Sequence, residues 1–260
     1  MNFSHLSLVR LLTPEAPWSA EKESKFPELY RLLIETNERI NLTSITSSLD
    51  VALRHFADSL SLFQCPAFQS AFSGAKGICD VGCGGGFPGL PLAVLSPEKR
   101  ILMIDSTEKK IRALEKNAAL LGLDSVKAVW GRGEEMTRPG GDFRETQEIA
   151  VSRAVARLNV LTELCLPFLK VGGVFFALKG VQAPREWEEA SGAIRALGGK
   201  AEELYRVKWP EIDLSSCSSD DRARIEEFLG QERYIAVIRK VSRLKNEFPR
   251  KWAQMTKNPL

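Results

Sequence analysis

Asp80-Val81-Gly82-Cys83-Gly84-Gly85-Gly86-Phe87-Pro88-Gly89 is the stretch whose reading decides the fold. It follows the short apolar run Ile78 to Val81 and places five glycines within ten residues. Glycines at a strand-to-helix junction let the backbone approach a ligand closely and adopt φ values that other residues resist. Gly84-x-Gly86-x-x-Gly89 matches the dinucleotide-binding pattern, a match too short to choose a ligand alone. A P-loop is excluded, because no Gly-Lys-Ser/Thr follows. A tight turn with no ligand is the plain alternative. Two acids argue against it: Asp80 closes the first apolar run, and Asp105 closes the next, Arg100 to Asp105.

The two acids also narrow the ligand. A carboxylate at Asp80 would repel a pyrophosphate and suits a ligand carrying an ammonium group, such as the methionine moiety of S-adenosylmethionine. Asp105 is placed to hydrogen-bond ribose hydroxyls in either reading. An acid that merely favours a helix N-terminus is its simpler role.

Outward from the loop, short apolar runs alternate with helical segments. Ile78–Val81, Arg100–Asp105, Val126–Trp130, Ile149–Val151 and Val174–Leu178 read as strands, the last after a turn at Gly172-Gly173. Between the second and third, Ile111, Leu114, Ala118 and Leu121 share one helical face, opened by Ser106 or Thr107 and closed by Gly122. Such alternation predicts βαβ units and a parallel sheet. Tyr205–Trp209 and Tyr234–Ile238 are expected as further strands, with Leu214 to Arg222 a loop between them. Upstream, Phe26, Leu29, Tyr30, Leu33 and Asn37 form one helical stripe; Val51, Leu53, Phe56, Leu60 and Phe63 form a second behind a cap at Ser48. The organisation expected is a helical extension over 1–70, a catalytic α/β unit over 71–241 and a basic tail over 242–260.

Composition sets outer bounds. The 260 residues carry 36 Lys+Arg and 33 Asp+Glu, a formal charge of +3, which excludes a polybasic nucleic-acid tail protein. The charge is uneven: Gln231 to Leu260 holds eight basic residues and two acidic ones. The longest apolar stretch, Val160 to Leu178, is broken by Glu163, Pro167 and Lys170, so no membrane span is expected, and no secretory signal is recognised. Five cysteines without a C-x-x-C pair, and only two histidines, predict no metal and reduced thiols in a cytoplasmic protein. A Ser-His-Asp or Cys-His constellation has almost nothing to be built from.

The glycine loop, continued through Leu90-Pro91, resembles that of the glucose-inhibited division protein B family, bacterial methyltransferases of small-subunit ribosomal RNA. The likeness extends to Asn41-Leu-Thr-Ser44, Arg54-His55-x-x-Asp58-Ser59, Asp105-Ser106 with Lys109-Lys110, Ser152-Arg153-Ala154 and Leu178-Lys179-Gly180. The ending, Phe248-Pro-Arg-Lys251 to Lys257-Asn-Pro-Leu260, is similar too. The resemblance implies a class I S-adenosylmethionine-dependent methyltransferase (Rossmann-like) sheet with an N-terminal helical extension. It implies methylation of a guanine N7 in 16S rRNA, on the RNA or the 30S subunit, by a monomer. Carried over by motif, the cofactor residues are Gly82, Phe87, Asp105, Gly133, Glu134 and Arg153; the reading of the loop adds Asp80, Gly84 and Gly86. The sequence departs from the family at Thr36, where many members have Trp, at Cys83, and at Ala253 and Met255 in the tail.

Guanine N7 carries an in-plane lone pair, so its methylation needs positioning and not a general base. Arg153 is the candidate catalytic residue at the boundary of cofactor and base; a surface pairing with Asp142 or Glu148 is its ordinary alternative. Arg54, Lys179, Arg250 and Lys251 are candidate RNA contacts, with Phe248 and Trp252 as stacking partners in the tail. For Arg54, with Asn41 and Asp58, a polar junction against the sheet competes; for Lys179 and the tail, plain solvation does. Two other functions share these features: a nicotinamide-dependent (NAD) oxidoreductase using the same loop, and an RNA-binding factor without turnover.

Overall fold

The computed structural model describes residues 3–153 and 155–260; Ala154, the end of the Ser152-Arg153-Ala154 motif, lies outside the described residues. Seven strands among them form one sheet: β1 (Gly77–Val81), β2 (Arg100–Asp105), β3 (Val126–Trp130), β4 (Gln147–Arg153), β5 (Leu169–Lys179), β6 (Gly199–Arg206) and β7 (Tyr234–Lys240). Their order is β3-β2-β1-β4-β5-β7-β6; β1 to β5 run parallel, and β7 lies antiparallel to both β5 and β6. The chain order reverses at β1, which pairs with β2 on one side and β4 on the other. Such a reversal opens a crevice beyond the carboxyl ends of the strands.

Both faces of the sheet are covered. Before β1 come α1 (Phe3–Leu12), α2 (Ala20–Ile40), α3 (Ser48–Asp50), a π-helical turn (Val51–Ala57), α4 (Asp58–Leu60) and α5 (Pro66–Gly74). After it come α6 (Gly89–Leu95), α7 (Glu108–Leu120), α8 (Gly133–Met136), α9 (Leu158–Cys165), α10 (Ala183–Glu189), α11 (Ser191–Ala196), α12 (Ser219–Gly230) and α13 (Trp252–Lys257). Val174, Phe176 and Leu178 of β5 enter one core with Phe26, Phe56, Phe68, Leu114 and Phe228. Phe175 and Ala177 point the other way, into a core with Leu161, Ile194, Ile238 and Met255. Burial on both faces is why these strands read as continuous apolar runs. The N-terminal helices share the first core with the sheet, and Lys25 Nζ on α2 donates to Leu121 O at 3.0 Å.

Several boundaries differ from the sequence reading, each for a local reason. Gly172-Gly173 is not a turn before β5 but lies inside it, where Leu169 and Val174 pair with Gln147 and Ile149 across a bulge. The strand expected at Tyr205–Trp209 is β6, ending at Arg206; its exposed edge residues, Lys200 to Glu203, hide the signal. The expected loop Leu214–Arg222 contains the start of α12, whose cap is Ser218 accepting from Asp221 N–H. Ser47, not Ser48, caps α3. The tail does not stand apart: Leu244, Phe248 and Met255 are buried in the second core. No helix among the described residues is long and apolar enough to cross a membrane.

Candidate active site

The crevice beyond β1, β2 and β4 holds a cavity of about 560 Å³. Its floor is the glycine loop. Gly82 N–H and Cys83 N–H donate to Ile104 O on β2, at 2.8 and 3.0 Å, and tie the loop to the neighbouring strand. Gly82, Gly84 and Gly86 have φ of 74°, 55° and 100°, conformations that favour glycine. Their surroundings differ. A Cβ at Gly82 would stand 2.5 Å from Val155, and one at Gly86 2.6 Å from Leu90, whereas the nearest atom to one at Gly84 is 3.9 Å away. The open space beside Gly84 is where a ligand can approach the backbone. Gly86 does not line the cavity; it lets the loop pack on α6 and α7.

Asp105 lines the cavity with its carboxylate held in place: Oδ2 accepts from Gly84 N–H at 3.0 Å and Oδ1 from Thr107 N–H at 2.8 Å. Gly133 and Glu134, at the start of α8, form the wall beyond it, with Leu164 of α9 and Trp252 of α13. Asp80, expected beside the ligand, lies behind the loop and is not among the residues lining the cavity. It is fully buried; Oδ2 accepts from Gly89 N–H at 2.8 Å, and Oδ1 finds no partner among the described residues. Burial pushes its carboxyl up to about 7.

Phe87 and Arg153 also line the cavity and pack on each other. The Phe87 ring stacks on His55 with centroids 4.4 Å apart and planes 9° apart, and the Arg153 guanidinium lies 5.5 Å over the same ring. Arg153 Nη1 donates to Asp58 Oδ2 at 2.9 Å and to Arg54 O at 2.8 Å, and Nη2 meets His55 Nδ1 at 3.2 Å. A guanidinium can only donate, so His55 Nδ1 is the acceptor and its proton is on Nε2, 2.9 Å from Thr43 Oγ1. Burial, with Arg153 adding to it, lowers His55 to about 3. His55 is therefore a neutral ring, occupied at both nitrogens, with no role open to it as a base. Asp58 Oδ1 accepts from Arg233 Nε at 3.0 Å, so one carboxylate spaces two guanidinium groups.

A second cavity, of about 520 Å³, adjoins the first, and His55 and Arg153 line both. Arg54, Arg153, Lys179 and Arg233 face it against Asp58 and Glu186.

A family model described as rRNA small subunit methyltransferase G matches residues 22–213. The chain belongs to that family. Relatives within it include the ribosomal RNA small subunit methyltransferase G of Geobacillus sp. (strain WCH70), 41% identical over 93% of this chain and 92% of that one. That of Staphylococcus epidermidis (strain ATCC 12228 / FDA PCI 1200) is 39% identical over the same shares. Among solved structures, the [4+2]-cyclase SpnF covers 85% of this chain and 96% of its own, at TM-score 0.52 and 14% identity. Geranyl diphosphate C-methyltransferase from Streptomyces coelicolor A3(2) covers 83% and 98%, at TM-score 0.50 and 15% identity. These two likenesses concern the fold alone. As a member of the small subunit methyltransferase G family, the protein is an S-adenosylmethionine-dependent rRNA methyltransferase.

The cavity's chemistry fits that donor. It has an open place beside a backbone at Gly84, an anchored carboxylate at Asp105 suited to a ribose diol, and a buried unpartnered oxygen at Asp80 behind the loop.

The four candidate RNA contacts read from the sequence are placed differently in the structure. Arg54 Nη2 pairs with Glu227 at 2.9 Å, and Lys179 Nζ with Glu186 at 2.6 Å, so both are committed within the fold. Arg250 forks onto the buried Glu163, so it is no free RNA contact, and Phe248 is buried and cannot stack on a base. Lys251 alone of the four is exposed with its side chain unassigned to any pair among the described residues. Arg153 pairs with Asp58 and not with Asp142 or Glu148; Glu148 instead holds Lys170 at 2.8 Å. Arg233 and Trp252 as cavity walls had no spacing signal, because only the antiparallel β7 and the folded-back tail bring them there.

Proposed function

We propose that the larger cavity holds S-adenosylmethionine, that the adjoining cavity receives the guanine nucleotide, and that the product is N7-methylguanine in 16S rRNA. The observation that carries this reading is that Arg153 lines both cavities. In it, Gly82, Gly84 and Phe87 flank the methionine end, Asp105 takes the ribose, and Gly133 and Glu134 border the adenine. Asp80 acts from behind the loop. The donor, when bound, supplies an electrophilic methyl on a sulfonium.

The remaining work falls to the chain. No proton has to leave N7, and the neutral, doubly bonded His55 supplies no base. Three of the five N–H groups of Arg153 are engaged among the described residues, which leaves donors for guanine O6 beside N7. An O6 contact leaves the N7 lone pair free. Methylation puts positive charge on the base, next to Arg153; the Asp58 carboxylate offsets that repulsion. Phe87 and His55, stacked, fix the wall against which the base is placed, so catalysis is positioning and water exclusion.

The substrate of this reading, 16S rRNA or the 30S subunit, supports action in the cytoplasm. With purified 30S subunits and methyl-labelled donor, Arg153→Ala should lower methyl transfer at least ~100-fold, on the scale of losing a positioning donor. It should leave binding of S-adenosylhomocysteine within about threefold to tenfold. Transfer at the wild-type rate would remove Arg153 from the reaction.

A further inference from the structure

The C-terminal segment, expected from its charge to reach for RNA, is instead fastened at several points. Arg144 gives its two terminal nitrogens to four carbonyls: Thr137 at 2.7 Å, Phe248 at 2.8 Å, Lys245 at 3.1 Å and Leu244 at 3.2 Å. Leu244 N–H donates to Glu145 Oε1 at 2.9 Å. Beyond Phe248, Arg250 grips Glu163 of α9 with its backbone N–H and with side-chain Nε and Nη2, at 2.6 to 3.1 Å. The free Nη1 reaches past the next helix to Asn258 O at 2.9 Å. Met255, inside that helix, has no exposed surface.

Glu163 has its side chain 1% exposed, and it is the one acidic or basic residue of its helix. A buried ion pair adds little net stability over apolar packing, so its effect is to fix register and direction. What it fixes is α13, whose first residue, Trp252, lines the larger cavity; α13 and α8, which supplies Gly133 and Glu134, both pack on α9, which supplies Leu164. In the proposed reading the start of α8 borders the adenine end of the donor. An indole face beside a purine contributes through stacking, which is tolerant of detail and strong when partly desolvated.

We infer that Trp252 is a wall of the S-adenosylmethionine site on its adenine side, and that the Glu163–Arg250 fork is the latch that positions it. The inference rests on the reading of the larger cavity as the donor site. The basic tail thereby belongs to cofactor binding before RNA docking. Lys251, exposed at the helix start, is left to face outward.

Calorimetry on the full chain with S-adenosylhomocysteine tests this. Trp252→Ala should bind at least ~10-fold more weakly, about 1.4 kcal/mol. Trp252→Phe should stay within about threefold, because it keeps an aromatic face. Arg250→Lys, which keeps the charge and loses the fork, should fall between them. In turnover, Trp252→Ala should raise the KM for S-adenosylmethionine and leave the KM for 30S subunits unchanged. Wild-type affinity in Trp252→Ala, or a raised KM confined to the 30S subunit, would overturn the inference and return the tail to RNA. Failure of the wild-type chain itself to bind S-adenosylhomocysteine would overturn the donor-site reading and this inference together.

Discussion

Gly84 and Gly86 carry equal weight in the sequence pattern and opposite duties in the fold. The open space at Gly84 faces the ligand, whereas a Cβ at Gly86 would strike Leu90 at 2.6 Å and Leu114 at 3.0 Å. Gly86→Ala should therefore destabilise the chain by about 2 kcal/mol or more, seen in urea unfolding. Gly84→Ala should cost about 1 kcal/mol in backbone strain and weaken S-adenosylhomocysteine at least ~10-fold. The pattern marked the loop, but which glycine serves packing depends on how Leu90 of α6 and Leu114 of α7 fold back onto it. Asp80 was legible as an acid at a strand end; that it lies behind the loop was not, because Gly89 N–H turns its carboxylate inward.

At the scale of elements, the strands buried on both faces were legible from their apolar runs, and their carboxyl ends located the site. The polar edge strand β6 and the start of α12 were not, since neither shows an unbroken apolar pattern. The packing of the tail was not legible for a related reason: eight basic residues in thirty suggest an RNA contact or a solvated face, while its fastening depends on Arg144 and Glu163 far upstream. The end of α2 offers a direct test of the polar N-terminal motif. Asn41 takes φ 52° there, its N–H donating to Asn37 O at 3.1 Å. Asn41→Gly should leave stability within about 0.5 kcal/mol and methylation unchanged, and Asn41→Ala should cost about 1 kcal/mol. Loss of methylation in a fully stable Asn41→Gly would give that side chain a part in RNA contact.

Across the whole molecule, two buried groups beside the site tilt stability in opposite directions with pH. Asp80 rises from 3.8 to about 7 on folding, so over that window the folded chain retains a proton that the unfolded chain releases, and stability falls as pH rises. His55 drops from 6.5 to about 3, so the unfolded chain holds the extra proton, and stability grows as pH rises toward 6.5. Between about pH 4 and 6.5 the two slopes oppose each other. Asp80→Asn should unmask a rise and His55→Gln a fall, each up to about 1.4 kcal/mol per pH unit in denaturant unfolding. His55 lines both cavities together with Arg153, and the proposal centres there: Arg153 holds the guanine for methyl transfer to N7. Mass mapping of 16S rRNA from a strain lacking this gene, complemented with the wild type or with Arg153→Ala, tests it most directly. One N7-methylguanine that the wild type restores and Arg153→Ala does not is the expected result; restoration by Arg153→Ala would remove Arg153 from the reaction, and a methyl on another atom would overturn the N7 assignment.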